Sequence, residues 1–80
     1  MEKSIHSAEH RKLAAVLREM RLEADLWQTD VAKRLDEPQS FVSRYESGER
    51  RLDLVELERV VNAMGYTLEE LVNRYRSARA

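Results

Sequence analysis

Gln28-Thr29-Asp30-Val31-Ala32-Lys33-Arg34-Leu35, then Asp36-Glu37-Pro38, then Gln39-Ser40-Phe41-Val42-Ser43-Arg44-Tyr45-Glu46-Ser47-Gly48 is the stretch that decides the fold. Val31, Ala32 and Leu35 make a one-sided apolar patch over two turns, so residues 28–35 read as a short amphipathic helix. Pro38 lacks an amide donor and pushes Glu37 out of the α region, which stops that helix. The same proline is well suited to the first turn of a new one. A second short helix therefore starts at Pro38 or Gln39 and runs to about Ser47, with Gly48 as its stop. Val42, Tyr45 and Glu46 lie near one face of it, and Gln39, Ser40, Ser43 and Arg44 lie on another.

Upstream, Ser7 caps a helix that Glu9 supports near the positive end of its dipole. Its stripe is Leu13, Leu17, Met20 and Ala24, and a short break at Asp25-Leu26-Trp27 follows. Downstream, Glu49-Arg50-Arg51-Leu52 is a charged loop, and Asp53 with Glu56 forms a capping box. Leu54, Leu57, Val60, Val61 and Met64 build a fourth amphipathic helix that Gly65 ends. Thr67 and Glu70 form a second capping box for a fifth helix with the stripe Leu68, Leu71, Val72 and Tyr75. The tail from Arg76 to Ala80 is expected to fray, and residues 1–6 to form a flexible tail, leaving residues 7–80 as one domain.

Composition agrees with this order of elements. The 80 residues suffice for one domain and one small core. One Pro and two Gly leave little punctuation for hairpins, so the class is all-α. The longest apolar run, Leu13 to Leu17, is far short of the roughly 18 residues that span a bilayer. No secretory signal is visible, and without cysteine there is neither a disulfide framework nor a thiolate metal site, which fits a cytoplasmic protein. The formal charge of −1 does not announce a polyanion partner. Charge position matters more, because attraction to phosphate acts within a Debye length of about 8–10 Å. Residues 1–24 and 33–51 each carry five basic and four acidic side chains, while acids gather at Asp25, Asp30, Glu56, Glu58, Glu69 and Glu70.

Catalytic signatures are missing from the sequence. There is no Gly-rich phosphate loop, and Ser40, Ser43 and Ser47 have no histidine near them in sequence. His6 and His10 share an i,i+4 spacing, but no carboxylate is clearly placed as a third ligand. Neither an enzyme, a cofactor nor a metal is expected. Two short helices with a tight turn between them, the second exposing small polar groups and one Arg, instead meet the geometric demands of a helix-turn-helix. A major groove roughly 12 Å wide admits such a helix. Gln39 can pair bidentately with adenine and Arg44 with guanine, while Ser40 and Ser43 are adaptable donors and acceptors. Phe41 either faces solvent, where it could meet a thymine methyl, or packs on the first helix.

From Leu17 to Leu71, roughly two-thirds of the chain, the sequence resembles the phage-repressor-like (XRE, Cro and lambda-repressor type) helix-turn-helix family. The resemblance is carried by Gln28-x-x-Val31-Ala32, Val42-Ser43-Arg44-Tyr45-Glu46 and Gly48. It implies a compact five-helix bundle with the helix-turn-helix at helices 2 and 3, and a DNA-binding regulator, acting as a repressor, that works as a homodimer on a two-fold operator. By position, Gln39, Ser40, Ser43 and Arg44 are implied base readers. Gln28 is implied to bind a phosphate and buttress Gln39, and Arg50 and Arg51 to hold the DNA backbone. Arg21 and Glu46 match the family's structural ion pair. Leu68, Leu71, Val72 and Tyr75 become the candidate dimer surface.

Three departures stand out. Asp36 replaces the usual glycine and must adopt a left-handed turn. Trp27 replaces a Ser or Thr cap, which removes an oxygen and puts an indole either near the DNA backbone or over the core; Trp27 and Tyr45 are read as core or core-edge aromatics. Glu37 adds a negative charge at the groove entrance. The competing reading is a protein-interaction module, for instance an antitoxin whose main partner is a toxin.

Overall fold

The computed structural model describes residues 7–79, in which every regular element is a helix. The helices are α1 (Ala8–Glu23), α2 (Gln28–Leu35), α3 (Gln39–Ser47), α4 (Leu54–Ala63) and α5 (Leu68–Ser77). The expected tail at residues 1–6 and the terminal Ala80 lie outside the described residues. No described helix is long and apolar enough to cross a membrane.

Side-chain oxygens start three of the helices. Ser7 Oγ accepts from His10 N at 3.1 Å, Asp53 Oδ1 from Glu56 N at 2.8 Å, and Thr67 Oγ1 from Glu70 N at 3.1 Å. Glu56 and Glu70 reach back to the amides of Asp53 and Thr67, completing both capping boxes. Helix α2 has no cap oxygen, because an indole offers none; Asp30 instead accepts from Trp27 N at 2.7 Å. Pro38 precedes α3 as its N-cap, and its carbonyl accepts from Phe41 N at 2.9 Å.

The first four helices end in the same way, with a left-handed residue just past the last turn and an amide reaching back five positions. Those residues are Asp25 (φ 60), Asp36 (φ 57), Gly48 (φ 86) and Gly65 (φ 92). The returning bonds run from Leu26 N to Arg21 O, Glu37 N to Ala32 O, Glu49 N to Arg44 O and Tyr66 N to Val61 O. Aspartate tolerates this conformation better than most side chains, which lets the α2–α3 turn close without glycine. The fifth helix continues through Arg76 to Ser77, further than the expected fraying allowed, and Ala78 packs against the core.

Helix α3 packs between α1 and α2; α5 closes the other side against α1 and α4. The side chains of Leu17, Met20, Val31, Val42, Tyr45, Val60 and Val61 are almost wholly withdrawn from water. These are the apolar positions of four helical stripes, so the amphipathic pattern is realised as one core. It fixes α3 from below and leaves its opposite face outside.

Tyr45, read as a core or core-edge aromatic, lies fully in the core. It is 1% exposed, and its hydroxyl has no hydrogen-bond partner among the described residues. A buried hydroxyl without a partner costs about 1–3 kcal/mol. Tyr45→Phe is therefore expected to raise the unfolding free energy by about 1 kcal/mol, read from urea denaturation. Burial also pushes the pKa of this phenol well above its ordinary value, and the nearby Glu46 carboxylate adds to the effect. Because the folded value lies above the unfolded value of about 10, the neutral phenol's contribution is complete below that pH and is lost as the pH rises further. Wild type should therefore weaken relative to Tyr45→Phe as the pH rises above about 10, with the two proteins parallel below about pH 9. Equal slopes in the two proteins would contradict the assignment.

Candidate nucleic-acid interface

A buried ion pair lies beneath the outward face of α3. Arg21 of α1 donates from Nε to Glu46 Oε2 at 2.6 Å and from Nη2 to Glu46 Oε1 at 3.0 Å. Its third donor, Nη1, reaches Leu26 O at 2.9 Å in the α1–α2 turn. The side chains are 7% and 3% exposed. The short hydrogen bond to Glu46 holds Arg21 more firmly protonated than a free guanidinium, against the desolvation that opposes it. One side chain thus joins three parts of the fold: α1, the turn before α2 and the end of α3.

The chain of bonds continues outward. Gln28 Nε2 donates to Glu46 Oε1 at 3.0 Å, and Gln39 Nε2 donates to Gln28 Oε1 at 2.8 Å. Gln28 is half-buried, whereas Gln39 is exposed at the first turn of α3. The Gln39 amide is therefore held at one N–H, with its other N–H and its Oε1 directed away from Gln28. Those two groups are the donor and acceptor that an adenine edge requires.

Ser40, Ser43 and Arg44 are exposed beside Gln39. The Arg44 guanidinium has no partner among the described residues. The first turn of α3 carries no acid, although Glu37 lies exposed just before it. The result is a short polar ridge whose one long side chain is a cation. It stands on a core that cannot shift without breaking the Arg21–Glu46 pair.

Other expected site residues are placed differently. Phe41 neither faces solvent nor packs on α1. Its ring meets Tyr45 edge-on at 5.7 Å, with the Arg50 guanidinium 4.8 Å from its centroid. It sits beside Leu35 and Val60, turned to the α2 and α4 side, and so away from a thymine methyl. Arg50 is likewise engaged within the domain, donating to Glu56 Oε2 at 3.0 Å and to Arg51 O at 3.0 Å. Arg50 and the Asp53 amide together hold the Glu56 carboxyl below the usual carboxylate range. Arg51 is exposed but borders a different cleft from the Gln28–Gln39 pair.

That second cleft is an apolar groove of about 410 Å³ bordered by α1, α4 and α5. Leu71 is only 3% exposed, which makes it a core residue and removes it from the candidate dimer surface. Leu68 is partly covered, and Lys12 Nζ stands 4.2 Å over the Tyr75 ring. Val72 remains 41% exposed, with Leu54 (65%) and Val55 (68%) also open; the two α4 leucine and valine positions were not anticipated. Leu54 belongs to the α4 stripe and was expected inside, whereas Val55 lies off it; both fall in the first turn of α4.

Trp27 is 76% exposed, which overturns the core or core-edge reading of it. It stands at the start of α2 beside Gln28. No group of three or more metal-ligating side chains occurs among the described residues, and His6 lies outside them. His10 Nε2 is instead 3.2 Å from Gly48 O, joining α1 to the end of α3.

A helix-turn-helix family model matches residues 17–71. An XRE-family like protein from Pseudomonas syringae pv. tomato str. DC3000 is 37% identical, with a TM-score of 0.82 over 94% of this chain and 92% of that one. The clp gene regulator ClgR from C. glutamicum is 19% identical, with a TM-score of 0.82 over 92% and 95%. The restriction-modification controller protein C.Esp1396I is 21% identical, with a TM-score of 0.82 over 89% and 91%. A further structure of that controller holds its tetramer in complex with its natural 35 base-pair operator, at a TM-score of 0.76 and 22% identity over 90% and 100%. No curated protein sequence matches the chain significantly.

Proposed function

Because the chain belongs to the XRE- and Cro-type helix-turn-helix family of DNA-binding transcription regulators, we propose that it binds a two-fold operator as a homodimer and acts as a repressor. Helix α3 enters the major groove. Gln39, Ser40, Ser43 and Arg44 read base edges, and Gln28 adds a phosphate contact while holding Gln39. The observation that carries this reading is the bonded series Arg21–Glu46–Gln28–Gln39, which runs from a buried pair to an exposed amide. An amide held in this way has one donor and one acceptor left, aimed outward. Arg50 and Arg51 complete the phosphate contacts, Arg50 from a guanidinium that also bonds Glu56.

Nine residues of α3 span only a few base pairs, so specific affinity calls for two copies with half-sites about one helical turn apart. Leu54, Val55, Val72 and the partly covered Leu68 and Tyr75 offer the apolar surface for that pairing. The controller C.Esp1396I, seen as a tetramer on its operator, supports an assembled DNA-bound state for this fold. Repression on this reading comes from occupying the operator and so blocking polymerase.

Selection of bound duplexes from random DNA by the purified chain tests the proposal. The expected product is an inverted repeat whose binding weakens steeply with salt while keeping its sequence preference. Sedimentation equilibrium should give a dimer that Val72→Glu dissociates. Failure to enrich any sequence at low salt would overturn the DNA-binding assignment, and a direct repeat or a single site would overturn the two-fold one.

A further inference from the structure

The two base-reading side chains that can make bidentate contacts stand at opposite ends of a short helix. Gln39 is in the first turn of α3 and Arg44 in its last, five residues or roughly 7.5 Å further along the axis. The Gln39 amide is bonded to Gln28. The Arg44 guanidinium has no such partner among the described residues, so its aim follows the backbone of the turn that carries it. Whatever fixes that turn decides where Arg44 points.

Two side chains of α1 hold it. Arg21 grips Glu46 through both carboxylate oxygens. His10, in the first turn of α1, reaches the residue that caps α3, with its Nε2 3.2 Å from Gly48 O. A carbonyl only accepts, so Nε2 carries the proton and donates. The edge of the same ring lies 3.9 Å from the position a Gly48 side chain would take, an ordinary contact distance. Gly48 is buried and left-handed (φ 86), and its amide closes on Tyr45 O at 3.3 Å, so moving it moves the last turn of α3 as well. His10 is itself anchored, because its backbone amide donates to the Ser7 cap at 3.1 Å. Residues 10 and 21 are roughly 16 Å apart along α1, whereas Glu46 and Gly48 are two residues apart. The end of α3 is therefore held from opposite directions, which resists roll about its axis as well as shift along it.

We propose that His10 is a positioning residue for Arg44: its bond to Gly48 O sets the direction of the last turn of α3, and so the base pair that Arg44 reads, as Gln28 does for Gln39 at the other end. This rests on the DNA-binding reading above and gives the two base preferences separate fasteners. An apolar side chain at position 10 would also fill the space over Gly48, but only a donor engages the carbonyl. Loss of folded protein lowers affinity for every sequence alike, so preference at single positions separates this role from a purely structural one.

The full chain, His10→Leu, His10→Gln and Arg44→Ala each reselect duplexes from random DNA, and every selected position is scored with single-substitution duplexes by labelled-DNA anisotropy. His10→Leu keeps the packing and removes the donor. It should lose roughly 3–10-fold of discrimination at the symmetric pair that Arg44→Ala identifies, about the worth of one hydrogen bond, and none at the Gln39 pair. His10→Gln brings an amide N–H near the place of Nε2 and should recover most of the loss. Thr67→Ala, which removes the cap of α5, supplies a loss of stability for comparison and should leave every preference intact. Preference unchanged at every position in His10→Leu, softened alike at both pairs, or softened in Thr67→Ala as well would overturn the role. So would a His10→Gln no better than His10→Leu. If His10→Leu does not fold, His10→Asn, whose amide falls short of Gly48 O, takes its place with the same expected and overturning results. If Arg44→Ala relaxes no position while wild type still selects a sequence, the positioning role falls and DNA binding stands. No sequence selected by wild type at low salt overturns the DNA-binding reading, and the role of His10 with it.

Discussion

Arg21→Met is expected to lower the unfolding free energy by about 3–5 kcal/mol, measured by urea denaturation followed with circular dichroism. An 80-residue domain has a total stability of about 4–12 kcal/mol, so this single change should leave much of the protein unfolded at body temperature. The size follows from what remains behind. Glu46, 3% exposed, would keep its charge without the two guanidinium donors that offset its burial, retaining the Gln28 amide. The carbonyl of Leu26 would also lose its donor. Arg21→Lys should recover only part of the loss, because an ammonium cannot present the fork that spans both carboxylate oxygens. The double replacement Arg21→Met with Glu46→Leu should be less destabilising than Arg21→Met alone, since an apolar pair carries no stranded charge. A double mutant that merely adds the two single losses would show that the pair does not act as a unit. An Arg21→Met loss under about 1 kcal/mol would place the pair with solvent-screened surface bridges. Even a stable double mutant should bind DNA poorly, because Gln28 would have lost the acceptor that holds it and Gln39 would lose its orientation in turn.

The distribution of this machinery explains which parts were legible in the sequence. Helix starts at Ser7, Asp53 and Thr67, and stops at Gly48 and Gly65, are local chemistry, and each lies where its residue type demands. Asp36 was marked as a left-handed residue only through the family resemblance, which has a glycine at that position. Asp25, in the same conformation, carried no such signal. The core stripes were also readable locally, since Val31, Ala32 and Leu35 can meet a core only on one side. Periodicity says which face is apolar but not what covers it. On α5 it could not separate Leu71, enclosed by its neighbours, from Val72, one residue further round and open to water. On α3 it could not say that Phe41 would find Tyr45 and Arg50. Trp27 failed for a different reason: tryptophan is usually covered, and nothing local marks one that is not. The Arg21–Glu46 bond spans 25 positions and was available only through resemblance to a family.

Gln39→Ala and Arg44→Ala are expected to produce the largest changes in DNA binding, and to change different base pairs. A bidentate side-chain contact discriminates its base by about 1–3 kcal/mol. On a two-fold operator each substitution occurs twice, so either variant should lose about 2–6 kcal/mol of specific binding, or roughly 30-fold to more than 10,000-fold in affinity. Reselection from random DNA should show the preference relaxed at one symmetric pair of positions for Gln39→Ala and at another for Arg44→Ala. The two side chains are five residues apart on α3 and bonded to no common group, so their effects should be nearly additive. Gln28→Ala should behave differently. It removes a phosphate contact and also the bond that orients Gln39, so it should weaken every sequence and in addition soften the preference at the Gln39 position. Gln28→Glu keeps an oxygen for the Gln39 amide but sets a second carboxylate against Glu46, and should be worse than alanine for stability while preserving the preference better. If Arg44→Ala lowers affinity equally for all sequences and reduces the salt slope by about two, one per subunit, Arg44 is a phosphate contact and the base assignment moves to Ser40 and Ser43. If Gln39→Ala leaves both affinity and the selected sequence intact, the bonded series from Arg21 to Gln39 serves the fold alone, and α3 does not read DNA through it.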